Sequence, residues 1–443
     1  MPMELEERST RYIWFLLAAG AFSLAATIEN PVYSVLGALV GMVVTVMGIT
    51  GQVRFPTNGR VAAAGTILVV TAVGVSEIMG RFALLDGTNY LWVSGAFVLA
   101  MSILMAPRVR PEILRLLPAL FFLIISATIL VPDFQPSLSS DVYRAHAAAG
   151  DAILSGQNPY SSAVSFESGD PHRPAGTVIE GYPYPLPVLA TYGVMAAFTD
   201  PRIVSVIAMG LIVVGLSLLP VLGERSKAVV VGVAAIISTL PIWRFALFMA
   251  WTEPLTAALA GLSVWGIARK RRWAWVVAGV ALASKQYMLF LAPLVLLHKD
   301  EDERREGWVA LWVAAFIAAL PAVLGPAEYF RSIVGNALAI GSRPDSQSIT
   351  GALNSLGADF LVPTLVVVPV VALVVFWLYK RQVPNHLLVA GATVTLAAGL
   401  LVTSAFPNYW MLVAVLAGLA AVTTMRNETS RRVGPNELST QHQ

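Results

Sequence analysis

The chain reads as an all-helical polytopic membrane protein, a bundle of about 12–14 transmembrane helices with two large loops on one face. Three observations predict this. Of 443 residues 57% are apolar and only 12% charged, with a mean hydropathy of +0.72. Soluble domains carry roughly 25% charged residues, so this chain cannot coat a water-facing globule. Apolar runs of about 18 residues or more recur from end to end, as membrane-spanning helices require. Arginines then cluster in alternate loops, which sets an orientation.

The elements follow in order. Apolar segments lie near 12–28, 32–51, 61–80, 89–106 and 112–132. Arg8 and Arg11, Arg54 and Arg60, then Arg108, Arg110 and Arg115 mark every second loop. The positive-inside rule makes the N-terminus cytoplasmic, and five crossings bring residues 133–181 to the outer face. The first apolar run lacks a small-residue cleavage site, so it reads as a retained anchor.

Further segments lie near 183–199, 202–222, 228–249, 252–268, 273–298, 307–325, 360–380, 386–405 and 409–424. The basic run "ARKRRW" (268–273) must be inside, which demands that one of the four preceding segments not cross. The proline-rich 183–199 is assigned as interfacial. Segment 273–298 is flanked by charged runs on both sides, so it goes up and returns, with Lys285 near the outer turn. Short buried limbs of this kind need protein or a cavity around them. Residues 326–359 become a second outer loop, and the tail 426–443 is cytoplasmic.

Bulk composition excludes other classes. Cysteine is absent, so thiolate metal sites and cysteine nucleophiles are ruled out. A net charge of +3 spread over short loops fits topology control, not nucleic-acid binding. Asp300-Glu301-Asp302 in "KDEDERRE" imitates an Asp-x-Asp metal motif, but no nucleotide-binding pattern accompanies it, so it reads as a solvated cytoplasmic loop.

The first outer loop is the polar exception. "SSDVYRAHAAAGDAILSGQNPYSS" (139–162) predicts a surface helix over 140–154, with Ser139 or Ser140 as N-cap and Gly156 as its stop. Asp141 in the first turn complements the helix dipole and faces Arg144 at i,i+3. The other reading is a general base beside a cavity rimmed by Tyr143, Tyr160, Tyr182 and Tyr184.

The order Asp141-Val-Tyr143, "GDAILSGQNPY", "YPYPLP", then "WTEPLTAALAGLSVWGIARKRRWAWVVAGVALASKQYMLFLAPLVLL", resembles the GT-C superfamily of integral-membrane glycosyltransferases. Within it the match is to glycosyltransferase family 87, the polyprenyl-phosphate-mannose-dependent mannosyltransferases. The resemblance spans roughly residues 112–300, with an echo in "SAFPNYWML" (404–412). This chain departs in Tyr-Pro-Leu-Pro, in Thr252-Glu253-Pro254, and in the four helices that precede the first landmark.

The resemblance divides the chain into accessory helices (1–111), a catalytic module (112–300) and C-terminal helices (301–425). It implies a GT-C-type bundle with its active site on the outer face. It implies transfer of a hexose, foremost mannose, from a polyprenyl-phosphate sugar in the bilayer to a glycan, glycolipid or protein acceptor. Asp141 would be the catalytic base. The departing phosphate needs a cation, for which Lys285, Arg343, Arg244 and Arg144 are candidates. Sugar and acceptor contacts would come from Tyr143, His146, Asn158, Tyr160, Tyr182, Tyr184, Glu253, Asn408 and Tyr409. A divalent metal near Asp141 and Glu253 is left open, and no other cofactor is implied. The competing classes are a transporter or flippase, and a polymerase or ligase, of lipid-linked saccharides.

Overall fold

The computed structural model describes residues 11–28, 30–51, 59–79, 86–105, 111–130, 140–161, 163–165, 178–217, 219, 224–239, 241–335, 346–358, 366–402 and 405–432. Nearly all of these are helical. The exception is a small antiparallel ribbon inside the first large loop, pairing Ala163–Ser165 with Val178–Glu180.

Local chemistry sets the helix ends. Asn30 caps Pro31–Thr50 by accepting from the Val32 N–H at 3.0 Å, and Gly51, at φ 65°, closes it in the left-handed region. Among the described residues, four helices are long and apolar enough to cross a bilayer: Pro31–Thr50, Glu301–Val323, Asn385–Val402 and Pro407–Asn427. Shorter apolar helices of 10–17 residues accompany them, Arg202–Ser217 and Trp273–Ala283 included. Large apolar side chains stand exposed on Pro31–Thr50 (Leu36, Val40, Val43) and Glu301–Leu324 (Trp312, Phe316, Val323). A bundle facing lipid can leave such groups outside, whereas water would penalise them. The protein is an all-α polytopic membrane protein apart from the ribbon.

One core runs through the bundle and includes both the first and the last described helix. Arg11–Thr27 lies antiparallel along Pro407–Arg432, with Phe22 stacked on Trp410 at a centroid distance of 6.1 Å. Trp243 packs on Phe122 at 5.4 Å, and the Trp92 indole donates to the Thr239 carbonyl at 3.2 Å. The N-terminal helices therefore share their core with the last helix.

Several segments depart from the sequence reading. The expected single span 228–249 is two helices, Glu224–Thr239 and Pro241–Phe248, because Pro241 has no N–H to continue the first. "KDEDERRE" is not a loop. Asp300 caps helix Glu301–Leu324, and Glu301, Asp302 and Glu303 occupy its first turn, where acids suit the positive helix end.

The split of 273–298 is present. Helix Trp273–Ala283 ends at Ser284, Lys285 is extended (φ −151°, ψ 144°), and a 3₁₀ segment, Gln286–Leu296, follows. Trp275 and His298 meet at 5.0 Å, so the two limbs fold back on one another with Lys285 at the reversal. Segment 183–199 stays at the Lys285 end. Its helix, Leu186–Phe198, contains a π turn and packs along helix Asp141–Leu154. Gly150 allows that contact: a Cβ there would stand 2.7 Å from the Ala196 carbonyl carbon.

Candidate active site

Helix Asp141–Leu154 is held by its first turn. Ser140 accepts from the Tyr143 N–H at 3.2 Å and donates its hydroxyl to the Met249 carbonyl at 3.1 Å. The turn 249–252, with Ala250 at φ 55°, carries the chain into helix Glu253–Ile267. Ala145, Ala149 and Ala152 form a buried stripe on this helix, and His146 is buried among them. Asp141 is half-exposed in the first turn. Arg144 follows in that turn, its N–H bonded to the Ser140 carbonyl at 3.0 Å. Tyr143 feels the Asp200–Arg202 ion pair, and burial together with Asp200 pushes its phenol up.

His146 is a fully enclosed histidine. Nδ1 bonds the Tyr182 hydroxyl at 2.8 Å, Nε2 bonds the Ala250 carbonyl at 3.1 Å, and the ring stacks on Tyr192 at 4.7 Å. Both nitrogens are thus taken by protein groups. Burial, aided by the Lys285 charge and opposed by the Ala250 bond, lowers its pKa to about 3. The folded state therefore holds this ring neutral between pH 3 and 6.5 while the unfolded chain protonates it. Stability is fully present above pH 6.5 and falls by about 1.4 kcal/mol per unit as pH drops towards 3. Thermal melts from pH 7 to 4 should show this slope, and His146→Gln should flatten it.

Below this helix lies a buried ion pair. Lys285 Nζ is 3.0 Å from Glu253 Oε1, with side-chain exposures of 6% and 0%. The Tyr287 hydroxyl donates to the same carboxylate oxygen at 2.9 Å. Glu253 opens one helix and Lys285 follows the end of another, so each charge complements the nearer helix dipole. Three tyrosine rings surround the ammonium: Tyr184 at 4.7 Å, Tyr409 at 5.7 Å and Tyr287 at 5.8 Å. Such distances are in the range of cation–π attraction. Glu253 Oε2 and Thr252 Oγ1 are buried and have no hydrogen-bond partner. A carboxylate oxygen with unused acceptor capacity beside an ammonium can receive a ligand hydroxyl.

The tyrosine loop is built around this pair. Tyr160 donates to the Tyr184 carbonyl at 3.3 Å and meets Tyr182 and Tyr329 edge-on. Ser332 donates to the Tyr182 carbonyl, and Gln286 to that of Pro183 at 3.4 Å. Gly181, at φ 77°, brings the backbone against the Tyr160 carbonyl, where a Cβ would collide.

The structure thus brings together Glu253, Lys285, Tyr184 and Tyr409, with His146, Tyr160 and Tyr182 supporting them. Asn158 makes a turn, accepting from the Tyr160 N–H at 3.0 Å, and lies beside Gly325. Asn408 is half-buried, one residue before Tyr409. Arg244 is on helix Pro241–Phe248, with its side chain outside the described residues, and Arg343 lies wholly outside them. Sequence reasoning missed Tyr287 and Tyr192. The first had a signal, since it sits two residues from an intramembrane lysine; the second had none. No group of three or more metal-ligating side chains occurs among the described residues.

A groove of about 1420 Å³ is lined by Leu255 and Met288, which follow Glu253 and Lys285 by two and three residues. It starts near Thr191, Leu255 and Met288 and runs between helices Arg202–Ser217 and Glu253–Ile267 to Arg269 and Arg426 at the opposite end. Its wall is mostly aliphatic.

A family model described as Glycosyltransferase family 87 matches residues 182–404, half of the chain. The chain belongs to glycosyltransferase family 87. It is accordingly a membrane glycosyltransferase of the GT-C type. The family 87 match begins at Tyr182, contains Tyr184, Glu253 and Lys285, and leaves Asp141 and Tyr409 outside. No curated protein and no solved structure matches the chain.

Proposed function

We propose that this family 87 enzyme transfers a hexose, mannose in the first instance, from a polyprenyl-phosphate sugar to an acceptor on the outer face of the membrane. The observation that carries the reading is the buried Lys285, caged by tyrosines, with an apolar groove lined by Leu255 and Met288, two and three residues beyond the ion pair in the chain. A charge inside a membrane protein is costly and marks a functional site by default. An ammonium has three donors and spends one on Glu253, so a donor phosphate oxygen can share it. The prenyl chain would lie in the groove below.

In this reading the tyrosine faces of the cage flank the sugar, and Glu253 Oε2 accepts one of its hydroxyls. Asp141 draws the proton from the acceptor hydroxyl as the glycosidic bond forms. The bond from the anomeric carbon to the phosphate oxygen breaks, and the electron pair leaves on polyprenyl phosphate. That leaving group is already anionic, so it needs a cation in place of a general acid. The acceptor is a glycan, glycolipid or protein, and a divalent metal is not required by any of these steps.

The test is a membrane assay with radiolabelled polyprenyl-phosphate mannose and glucose and a panel of glycan and glycolipid acceptors. Sugar should move to acceptor, with mannose preferred. Absence of transfer from every such donor, or movement of intact lipid-linked sugar between leaflets, would overturn the reading.

A further inference from the structure

The far end of the groove has a chemistry that a prenyl tail does not call for. Among the described residues, four charged side chains line the groove, all towards this end: Arg269, Lys270, Arg426 and Glu303. Glu303, the one carboxylate of these four, is engaged by His298 at 2.8 Å and Asn385 at 2.6 Å. Arg269 bears on Arg426 as a like charge. Like charges thus gather at the mouth of an apolar channel, where an oxyanion would lower their mutual repulsion.

Two details favour a ligand there. The Arg269 guanidinium lies 4.4 Å over the Trp265 ring. Stacking uses its face and leaves the in-plane N–H donors for an oxyanion, as in bidentate phosphate recognition. Lys270 holds φ 55°, a left-handed position that glycine or asparagine normally fills at a helix end. A lysine kept there against its backbone preference places a third cation at the mouth.

We propose that Arg269, Lys270 and Arg426 bind the headgroup of an anionic phospholipid from the leaflet opposite the Glu253–Lys285 site, with its acyl chains in the adjoining part of the groove. Aliphatic walls open to the bilayer fit acyl chains, and the cation cluster fits a phosphodiester. The proposal concerns lipid binding and does not depend on the transfer reaction.

The structure supplies a matched control. Lys380 and Arg381 lie at the end of helix Val367–Lys380 and stand over Phe376 and Trp377 at 5.5 and 5.9 Å. They flank a helix end on the same side of the bundle but do not line the groove. The experiment is lipid retention by native mass spectrometry, with thermal melts, on detergent-purified protein titrated with dioleoyl phosphatidylglycerol, dioleoyl phosphatidylcholine or inorganic phosphate. Phosphatidylglycerol should bind at least tenfold better than phosphatidylcholine and raise the melting temperature, while inorganic phosphate leaves it unchanged. The Arg269→Gln/Arg426→Gln variant, and the exposed and structurally mild Lys270→Gln, should reduce that preference; Lys380→Gln/Arg381→Gln should retain it. Equal binding of the two lipids, an equal loss in the control variant, or the same stabilisation by inorganic phosphate would each overturn the proposal.

Discussion

Asp141→Asn is expected to lower sugar transfer by about a hundred- to ten-thousand-fold, the range for losing a general base. Folding should change little. Asp141 is half-exposed in a first helix turn, where the dipole interaction of a carboxylate is worth about 0.3–1 kcal/mol. Asparagine is compatible with a helix start and removes only the charge. The measurement pairs initial rates in membranes with melting curves of the purified variant. Transfer at the wild-type rate with equal accumulation would return Asp141 to the role of a helix-start acid. The outcome carries weight because Asp141 lies outside the residues that the family model matches.

The second large effect is at the ion pair. Glu253→Gln should destabilise the protein by about 3–5 kcal/mol, because it strands the Lys285 ammonium in a buried site. Lys285→Met should do the same to Glu253. The double variant Glu253→Gln/Lys285→Met removes both charges and should recover most of that stability, read as melting temperature. Transfer should stay below about 1% of wild type, since the phosphate loses its cation, and such charge stabilisation is worth a hundredfold or more. A double variant that regains both folding and transfer would make the pair purely structural.

Much of the site is legible in the sequence. Ser140 as cap, the helix from Asp141, the stop near Gly156 and the reversal at Lys285 follow from capping chemistry and from charge flanking an apolar run. Glu253 and Lys285 were both singled out, because an ionisable residue at the edge of an apolar helix is conspicuous. Their meeting was not. They are 32 residues apart, on limbs whose lengths and breaks only packing sets. His146 shows the same limit: its helical position was plain, but its burial depends on Tyr182, Tyr192 and Ala250 arriving from three other segments.

Sequence alone determined that this chain belongs in a bilayer, where helices such as Asp141–Leu154 begin, and which polar residues interrupt the apolar runs. Those properties are local, set by side-chain hydropathy and by backbone groups within a few residues. The tertiary structure decided which interruptions face one another. It joined Glu253 to Lys285 inside a tyrosine cage and opened a groove from Leu255 and Met288 to Arg269 at the opposite end. An intramembrane charge survives only with a partner at about 3 Å, and no spacing along the chain states which helix brings it.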